Sequence, residues 1–173
     1  MTTSHERIVQ YLSDARAMED DIVRRLHAHT AIAPKGDYRR LLDRHLRETE
    51  QHRDRLDGRL DELGEGRSML DAGVDALQGV AGQLLGLYRL PATVARGQRG
   101  EERILRNARE ACAAEALEIA AYRTLEELAG QLGDTKTAGL ALRIRGDEER
   151  MLAALHALLP KLTGDLLRAD AGP

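Results

Sequence analysis

In the run AAEALEIAAYRTLEEL at residues 113–128, Glu115 and Glu118 stand in the middle of a stripe that should be apolar. With Glu118 as reference and about 100° per helical residue, Ala111, Tyr122, Leu125 and Leu132 lie within about 40° of it. A charged, unpaired carboxylate at the centre of a core-facing stripe costs on the order of several kcal/mol. The same anomaly recurs at Glu19, which interrupts the stripe Ile8, Leu12, Ala15, Ile22, Leu26, Ala33. It recurs again at Glu148 and Glu149, inside Leu142, Leu152, Leu155, Leu159. In the second helical segment His52 lies on the flank of Leu42, Leu46, Leu56, Leu60 and Leu63, with Thr49 central and Glu48 one turn before it. Carboxylates that bridge two hard or borderline cations, with imidazole at the ends, suit iron or manganese. Arginine is the other way to neutralise such a cluster, and Arg145, one turn before Glu148 and Glu149, is the candidate.

These groups sit on segments whose boundaries are readable. Thr3-Ser4-His5-Glu6 is a capping box, so a first helix starts near Thr3 or Ser4. It breaks at Ala33-Pro34-Lys35-Gly36, with Asp37 as N-cap of the second, which ends at Gly64-Glu65-Gly66. A third helix follows a second capping box at Ser68–Asp71, with Leu70, Val74, Leu77, Ala81, Leu84 and Tyr88 on one face. Its opposite face carries Gly79, Gly82 and Gly86, a flat strip for close packing within or between subunits. Pro91, Gly97 and Gly100 mark a connection to a long helix over about residues 101–132. Gly133 as C′ and Asp134 as the next N-cap make the following turn. The last helix is kinked or ended by Pro160, and residues 163–173 read as a frayed tail.

The short connections make the first two segments one antiparallel hairpin and the last two another. Residues equidistant from a turn then face each other. The midpoint of positions 19 and 48 falls between residues 33 and 34, and that of 19 and 52 between 35 and 36, both on the Ala33–Gly36 break. Positions 118 and 148 have their midpoint at Gly133. All these groups stand about 15 residues, roughly 22 Å, from their turns. Spacing alone therefore gives two hairpins, a long crossover holding the third helix, and one acidic layer at mid-height. That is the layout of a four-helix bundle with one long crossover, in which two helices supply a Glu and two a Glu-x-x-His. Here Thr49 stands three residues before His52, and no His follows Glu148 or Glu149 by three. The set is therefore one histidine and about five carboxylates. His45, one heptad before His52 and off the acidic level, reads as structural.

Composition narrows the rest. The 173 residues fit a single all-α domain, with four Tyr and no Phe or Trp. Twenty-six basic against 29 acidic residues, net −3, give no argument for nucleic acid or an anionic membrane. One cysteine, Cys112, excludes an internal disulfide and fits a reducing cytosol. No signal-peptide pattern opens the chain and no apolar run approaches about 18 residues, so the expectation is a soluble cytoplasmic protein. There is no Gly-rich phosphate loop, no Ser or Cys nucleophile motif and no CxxC.

Asp14-Ala15-Arg16-Ala17-Met18-Glu19 and His45-Leu46-Arg47-Glu48-Thr49-Glu50-Gln51-His52 resemble the first two helix motifs of the YciE/YciF-like ferritin-like proteins, a family without an established function. Glu115-Ala116-Leu117-Glu118-Ile119-Ala120-Ala121-Tyr122 is similar to that family's Glu-His-aromatic-Glu-Ile-Ala-x-Tyr signature, and Asp147-Glu148-Glu149 to its last motif. The chain departs at Ala116 and Leu117, where the family often carries His and an aromatic. The resemblance spans roughly residues 5–162. It implies a homodimeric ferritin-like bundle with a dinuclear metal centre and an association with stress responses, and no known reaction.

The resulting expectation is a ferritin-like four-helix bundle holding two iron ions, or manganese, between Glu19, Glu48, His52, Glu115, Glu118 and Glu148, with Glu149 as the substitute on the last helix. Glu118 and one carboxylate of that helix would bridge, with His52 terminal. By analogy of fold the reaction class is ferroxidase or peroxide-detoxifying chemistry. The alternative is a non-catalytic dimeric bundle with an Arg–Glu network in place of metal, acting as a structural or partner-binding protein.

Overall fold

The computed structural model describes residues 3–34, 36–65 and 100–171, and the helix expected within residues 66–99, with Gly79, Gly82 and Gly86, lies outside them. Among the described residues four helices form the bundle: α1 (Ser4–Ile32), α2 (Asp37–Glu62), α3 (Gly100–Gln131) and α4 (Thr135–Asp170). No strand occurs among the described residues, and none of their helices is long and apolar enough to cross a membrane.

The ends of the helices follow from local chemistry. Thr3 caps α1 in a reciprocal box: its hydroxyl accepts from the Glu6 amide at 3.1 Å, and its own amide donates to Glu6 Oε2 at 2.7 Å. Gly133, at φ 80, takes the left-handed turn after α3 that a side chain would oppose. Asp134 then caps α4 by accepting from the Thr137 amide at 3.0 Å. At α2 the expectation is off by one residue. Gly36 occupies the N-cap without any side-chain cap bond, while Asp37 turns outward to Lys161 Nζ at 2.8 Å. Pro160 does not end α4, which runs on to Asp170. Leu162 is buried beyond the proline and anchors the segment expected to fray.

Two apolar clusters fill the bundle, one at each end. Ile8, Leu12, Leu56, Leu60, Tyr122, Leu125, Leu140 and Ile144 pack around the start of α1 and the α3–α4 turn. Leu26, Leu41, Leu42, Ala108, Met151 and Leu155 pack towards the α1–α2 turn. Each fully buried Leu or Ile contributes roughly 1.5–3 kcal/mol, and together the clusters can carry a polar layer clamped between them. The clusters also fix the directions: α1 and α4 run one way, α2 and α3 the other. The two turns therefore lie at opposite ends, and the chain between Glu65 and Gly100 joins one end of the bundle to the other.

Arg59 holds the two hairpins in register. It donates to Asp134 Oδ1 and Oδ2, both at 2.9 Å, and to Thr137 Oγ1 at 2.9 Å, tying the last turn of α2 to the α3–α4 turn. A guanidinium that engages a carboxylate through both oxygens fixes orientation as well as distance.

Candidate metal centre

Between the apolar clusters lie Glu19 of α1, His45, Thr49 and His52 of α2, Glu115 and Glu118 of α3, and Glu148 of α4, none more than 3% exposed. Two groups of potential ligand atoms converge within 4.8 Å: Glu19 with His52 and Glu148, and His45 with Glu115 and Glu148. Glu148 belongs to both. Its Oε1 lies 2.9 Å from His52 Nδ1, and its Oε2 lies 3.8 Å from His45 Nε2. The remaining contacts are His52 Nδ1 to Glu19 Oε1 at 3.9 Å and His45 Nε2 to Glu115 Oε1 at 3.2 Å. Glu148 thus faces each group with a different oxygen.

The surrounding groups orient these donors. Tyr122, buried by the apolar cluster beside it, donates its hydroxyl to Glu19 Oε1. Thr49, between the two histidines on α2, spends its hydroxyl on the His45 carbonyl at 2.9 Å. His52 Nε2 lies 3.0 Å from Asp147 Oδ2, and His45 Nδ1 lies 3.9 Å from Glu48 Oε2. Each imidazole thus has one nitrogen inside the site and the other towards a carboxylate nearer the surface.

The electrostatics of this layer are those of crowded acids. Burial, with the Glu148 charge added, raises the Glu19 carboxyl to about 8. Burial lifts Glu115 to about 7, and the adjoining His45 only partly opposes it. Glu118, buried and facing Glu115, Glu148 and Glu19, is held well above the usual carboxylate range. Burial by itself would depress both imidazoles. Contacts with Glu115 and Glu48 outweigh it and push His45 up to about 10, and Glu148 and Glu19 raise His52 in the same way. His45 and Glu115 both rise although their contact should raise one and lower the other, because on the carboxyl the loss of water dominates.

Whether these residues fit metal can be judged from atoms left without partners. Glu19 Oε2, both ring nitrogens of His45, His52 Nδ1, Glu115 Oε2 and both oxygens of Glu118 and of Glu148 are buried without a hydrogen bond. Buried polar atoms are nearly always satisfied, and an unsatisfied one costs about 1–3 kcal/mol. Here eight of them line a single site, and the ninth, His45 Nδ1, looks outward towards Glu48. The short His–Glu distances belong to this set: the nitrogens and oxygens are close but not aligned as donor to acceptor. Six side chains offering carboxylate oxygen and imidazole nitrogen, with no thiolate, suit a pair of iron or manganese ions.

The structure brings Glu19, His52, Glu115, Glu118 and Glu148 together and leaves out two expected residues. Glu149 is 49% exposed and pairs with Arg145, so Glu148 is the carboxylate α4 turns inward. Glu48 is 40% exposed and reaches only the outer nitrogen of His45. Arg145 does not enter the layer either; it donates to Glu126 Oε2 at 3.0 Å on the flank of α3. The expected inward stripe of the last helix was rotated. Leu140, Ile144, Glu148, Met151 and Leu155 face the core, while Leu142 is exposed. His45, read from the sequence as structural, is in the site. It stands about two turns nearer the α1–α2 turn than His52 and pairs with Glu115, which lies one turn before Glu118 on α3, so the polar layer has two levels. The seven-residue spacing of His45 and His52, which keeps both on one helix face, was the signal available for it. Asp147, part of a quoted motif but assigned no role, supports His52. Ala116, where the family often carries His, is exposed and lies away from the site.

A family model described as Domain of unknown function (DUF892) matches residues 3–167, and the chain belongs to that family. Three solved structures share the fold. The E. coli stress protein YciF has a TM-score of 0.76 at 24% identity, over 95% of this chain and 99% of its own. A protein of Xanthomonas campestris pv. campestris gives 0.74 at 21% identity, over 97% and 98% of the two chains. YcfI of Rhodopseudomonas palustris gives 0.68 at 22%, over 89% and 93%. No curated protein matches the chain.

Proposed function

We propose that this member of the DUF892 family holds two transition-metal cations, iron or manganese, in the polar layer and uses them in redox chemistry with dioxygen or peroxide. The observation that carries the reading is the convergence of eight unpartnered buried donor atoms, two of them on Glu118, in and beside two ligand groups that share Glu148. Glu19, His52 and Glu148 would hold one ion and His45, Glu115 and Glu148 the other, with Glu118 facing both groups. Bound iron or manganese supplies one-electron exchange with dioxygen or peroxide. The chain's own residues supply the rest. Glu19 and Glu115 give up the carboxyl protons that burial makes them keep near neutral pH, and the histidines give up theirs, so the site exchanges protons for cations. Tyr122 holds Glu19 in place through Oε1. Leu56, Leu125 and Ile144 on one side and Leu42, Met151 and Leu155 on the other keep bulk water out of the layer.

A ferroxidase or peroxide-removing role is the form of this chemistry the donor set supports best, since hard, anionic carboxylate oxygens favour the more highly charged oxidised cation. A place in stress defence extends the proposal by the description of YciF alone. The competing arginine network loses its candidate cation, because Arg145 is engaged by Glu126 and Glu149. Anaerobic titration of the metal-free chain with ferrous iron tests the reading. Two ions should bind per chain, and melting temperature should rise as they do, since a ligand that binds only the folded state stabilises it. A protein that purifies without metal and shows no thermal shift with iron, manganese or zinc refutes it.

A further inference from the structure

Each imidazole of the site is approached from outside by a carboxylate that neither ligand group includes. We propose that Asp147 and Glu48 are positioning residues that make His52 and His45 bind their ions through opposite ring nitrogens, Nδ1 in His52 and Nε2 in His45. The inference rests on the metal-centre reading above and adds to it the orientation of each histidine and an order of filling.

The geometry is specific. His52 Nε2 and Asp147 Oδ2 are 3.0 Å apart, a hydrogen-bond distance, while His52 Nδ1 faces Glu148 Oε1 at 2.9 Å. In His45 the roles reverse: Nε2 faces Glu115 and Glu148, and Nδ1 looks towards Glu48 Oε2 at 3.9 Å. A carboxylate on one ring nitrogen takes the N–H, fixes the tautomer and leaves the lone pair of the other nitrogen for a cation. The opposite choice follows from position on α2. His52 has α4 beside it and meets Asp147, the residue before the inward Glu148. His45 meets Glu48, three residues further along its own helix.

The two supports are unequal. Asp147 is 22% exposed and makes a direct bond, with its other oxygen engaged by Arg150. Glu48 is 40% exposed and stands beyond hydrogen-bond length. The position formed by Glu19, His52 and Glu148, which also has Tyr122 fixing Glu19, is therefore the pre-organised one and fills first. The position of His45, Glu115 and Glu148 fills second and exchanges faster.

Zinc, which is diamagnetic, makes both parts measurable on the full chain. Calorimetric titration of the wild type should show two steps. Asp147→Ala should weaken the tighter step about 10- to 100-fold and leave the other nearly unchanged. Asp147→Asn, which keeps an acceptor for Nε2–H, should fall between. Glu48→Ala should touch only the weaker step. Long-range 1H–15N spectra of the zinc-loaded protein should show Nδ1 metallated in His52 and Nε2 in His45. Two bound zinc ions with the same nitrogen metallated in both rings, or with both steps weakened equally by Asp147→Ala, would overturn this assignment and leave the metal centre standing. A wild type that binds no zinc, iron or manganese overturns both.

Discussion

Replacing Glu118 with glutamine should reverse its effect on stability according to whether metal is present. In the metal-free protein the Glu118 carboxyl is 1% exposed, neither oxygen has a hydrogen bond, and the acids facing it are Glu115, Glu148 and Glu19. Burial favours its protonated form, in which it offers one O–H donor to the acceptors around it. Glutamine has nearly the same shape and offers two N–H donors. One further buried hydrogen bond is worth about 0.5–1.5 kcal/mol net. At roughly 2–4 °C per kcal/mol for a chain of this size, metal-free Glu118→Gln should melt about 1–6 °C above wild type. With ferrous iron the order inverts. An ion present at about 100 times its Kd adds about 2.7 kcal/mol, so two ions raise the wild type by on the order of 10–20 °C. Exchanging the carboxylate for a neutral amide removes charge that the cations need. If affinity drops about 100-fold, the same iron concentration adds only about 0.4 kcal/mol per ion. Scanning calorimetry of chelator-treated and anaerobically loaded samples reads both arms. A metal-free variant that melts well below wild type would mean that Glu118 is ionised and paired with a protein cation, since breaking a buried pair costs about 3–5 kcal/mol. Iron that raises both proteins equally would mean that Glu118 does not face the ions. Either result refutes the reasoning.

Other perturbations have signs that follow from the same geometry. Glu19 and Glu115, raised to about 8 and about 7 from an ordinary 4.5, hold protons more tightly folded than unfolded, so their contribution is complete below 4.5 and lost as pH climbs through 7 to 8. His45, raised from 6.5 to about 10, contributes below 6.5 and loses it by 10; the metal-free melting temperature should therefore fall steadily from pH 5 to 10, and a flat or rising profile contradicts the burial argument. Metal affinity should move the opposite way, increasing with pH as the protons that compete with the cation leave, which iron or manganese titrations at pH 6 and 8 would show. Tyr122→Phe removes the hydroxyl that donates to Glu19 and should cost about 1–2 kcal/mol, visible in denaturant melts, while weakening the first ion more than the second. Arg59→Ala should lower stability by about 1–2 kcal/mol through the lost bonds to Asp134 and Thr137 without changing the number of ions bound.

Some of this molecule is readable from its sequence because the determinants are local or forced by symmetry. Thr3 and Glu6, Gly133 and Asp134 announce the helix ends through side chains that act within three residues. The mid-height layer follows from the hairpin rule, which needs only the position of each turn. What the sequence hides is helix phase. The last helix has Leu142, Leu152 and Leu159 on one arc and Leu140, Ile144, Met151 and Leu155 on another, and a wide apolar arc leaves the inward direction uncertain by half a side-chain spacing. Packing against α3 selects the second arc. That one rotation moves Glu149 and Arg145 out together, where Arg145 pairs with Glu126 and Glu149 and not with the buried cluster.

His45 was hidden for a different reason, which bears on the chemistry. Treating the acidic layer as one level admits only residues equidistant from their turns, and His45 stands nearer its turn than His52 by seven residues, a rise of about 10.5 Å. Two cations side by side along the bundle need donors at two heights. Glu115 and Glu118, three residues apart on α3, already span them, and Glu148 faces both with its two oxygens. On α2 the two levels are reached by His45 and His52, seven residues apart, with the buried Thr49 between them. If the layer holds two cations as proposed, His45 supplies from α2 the second imidazole that the last helix lacks.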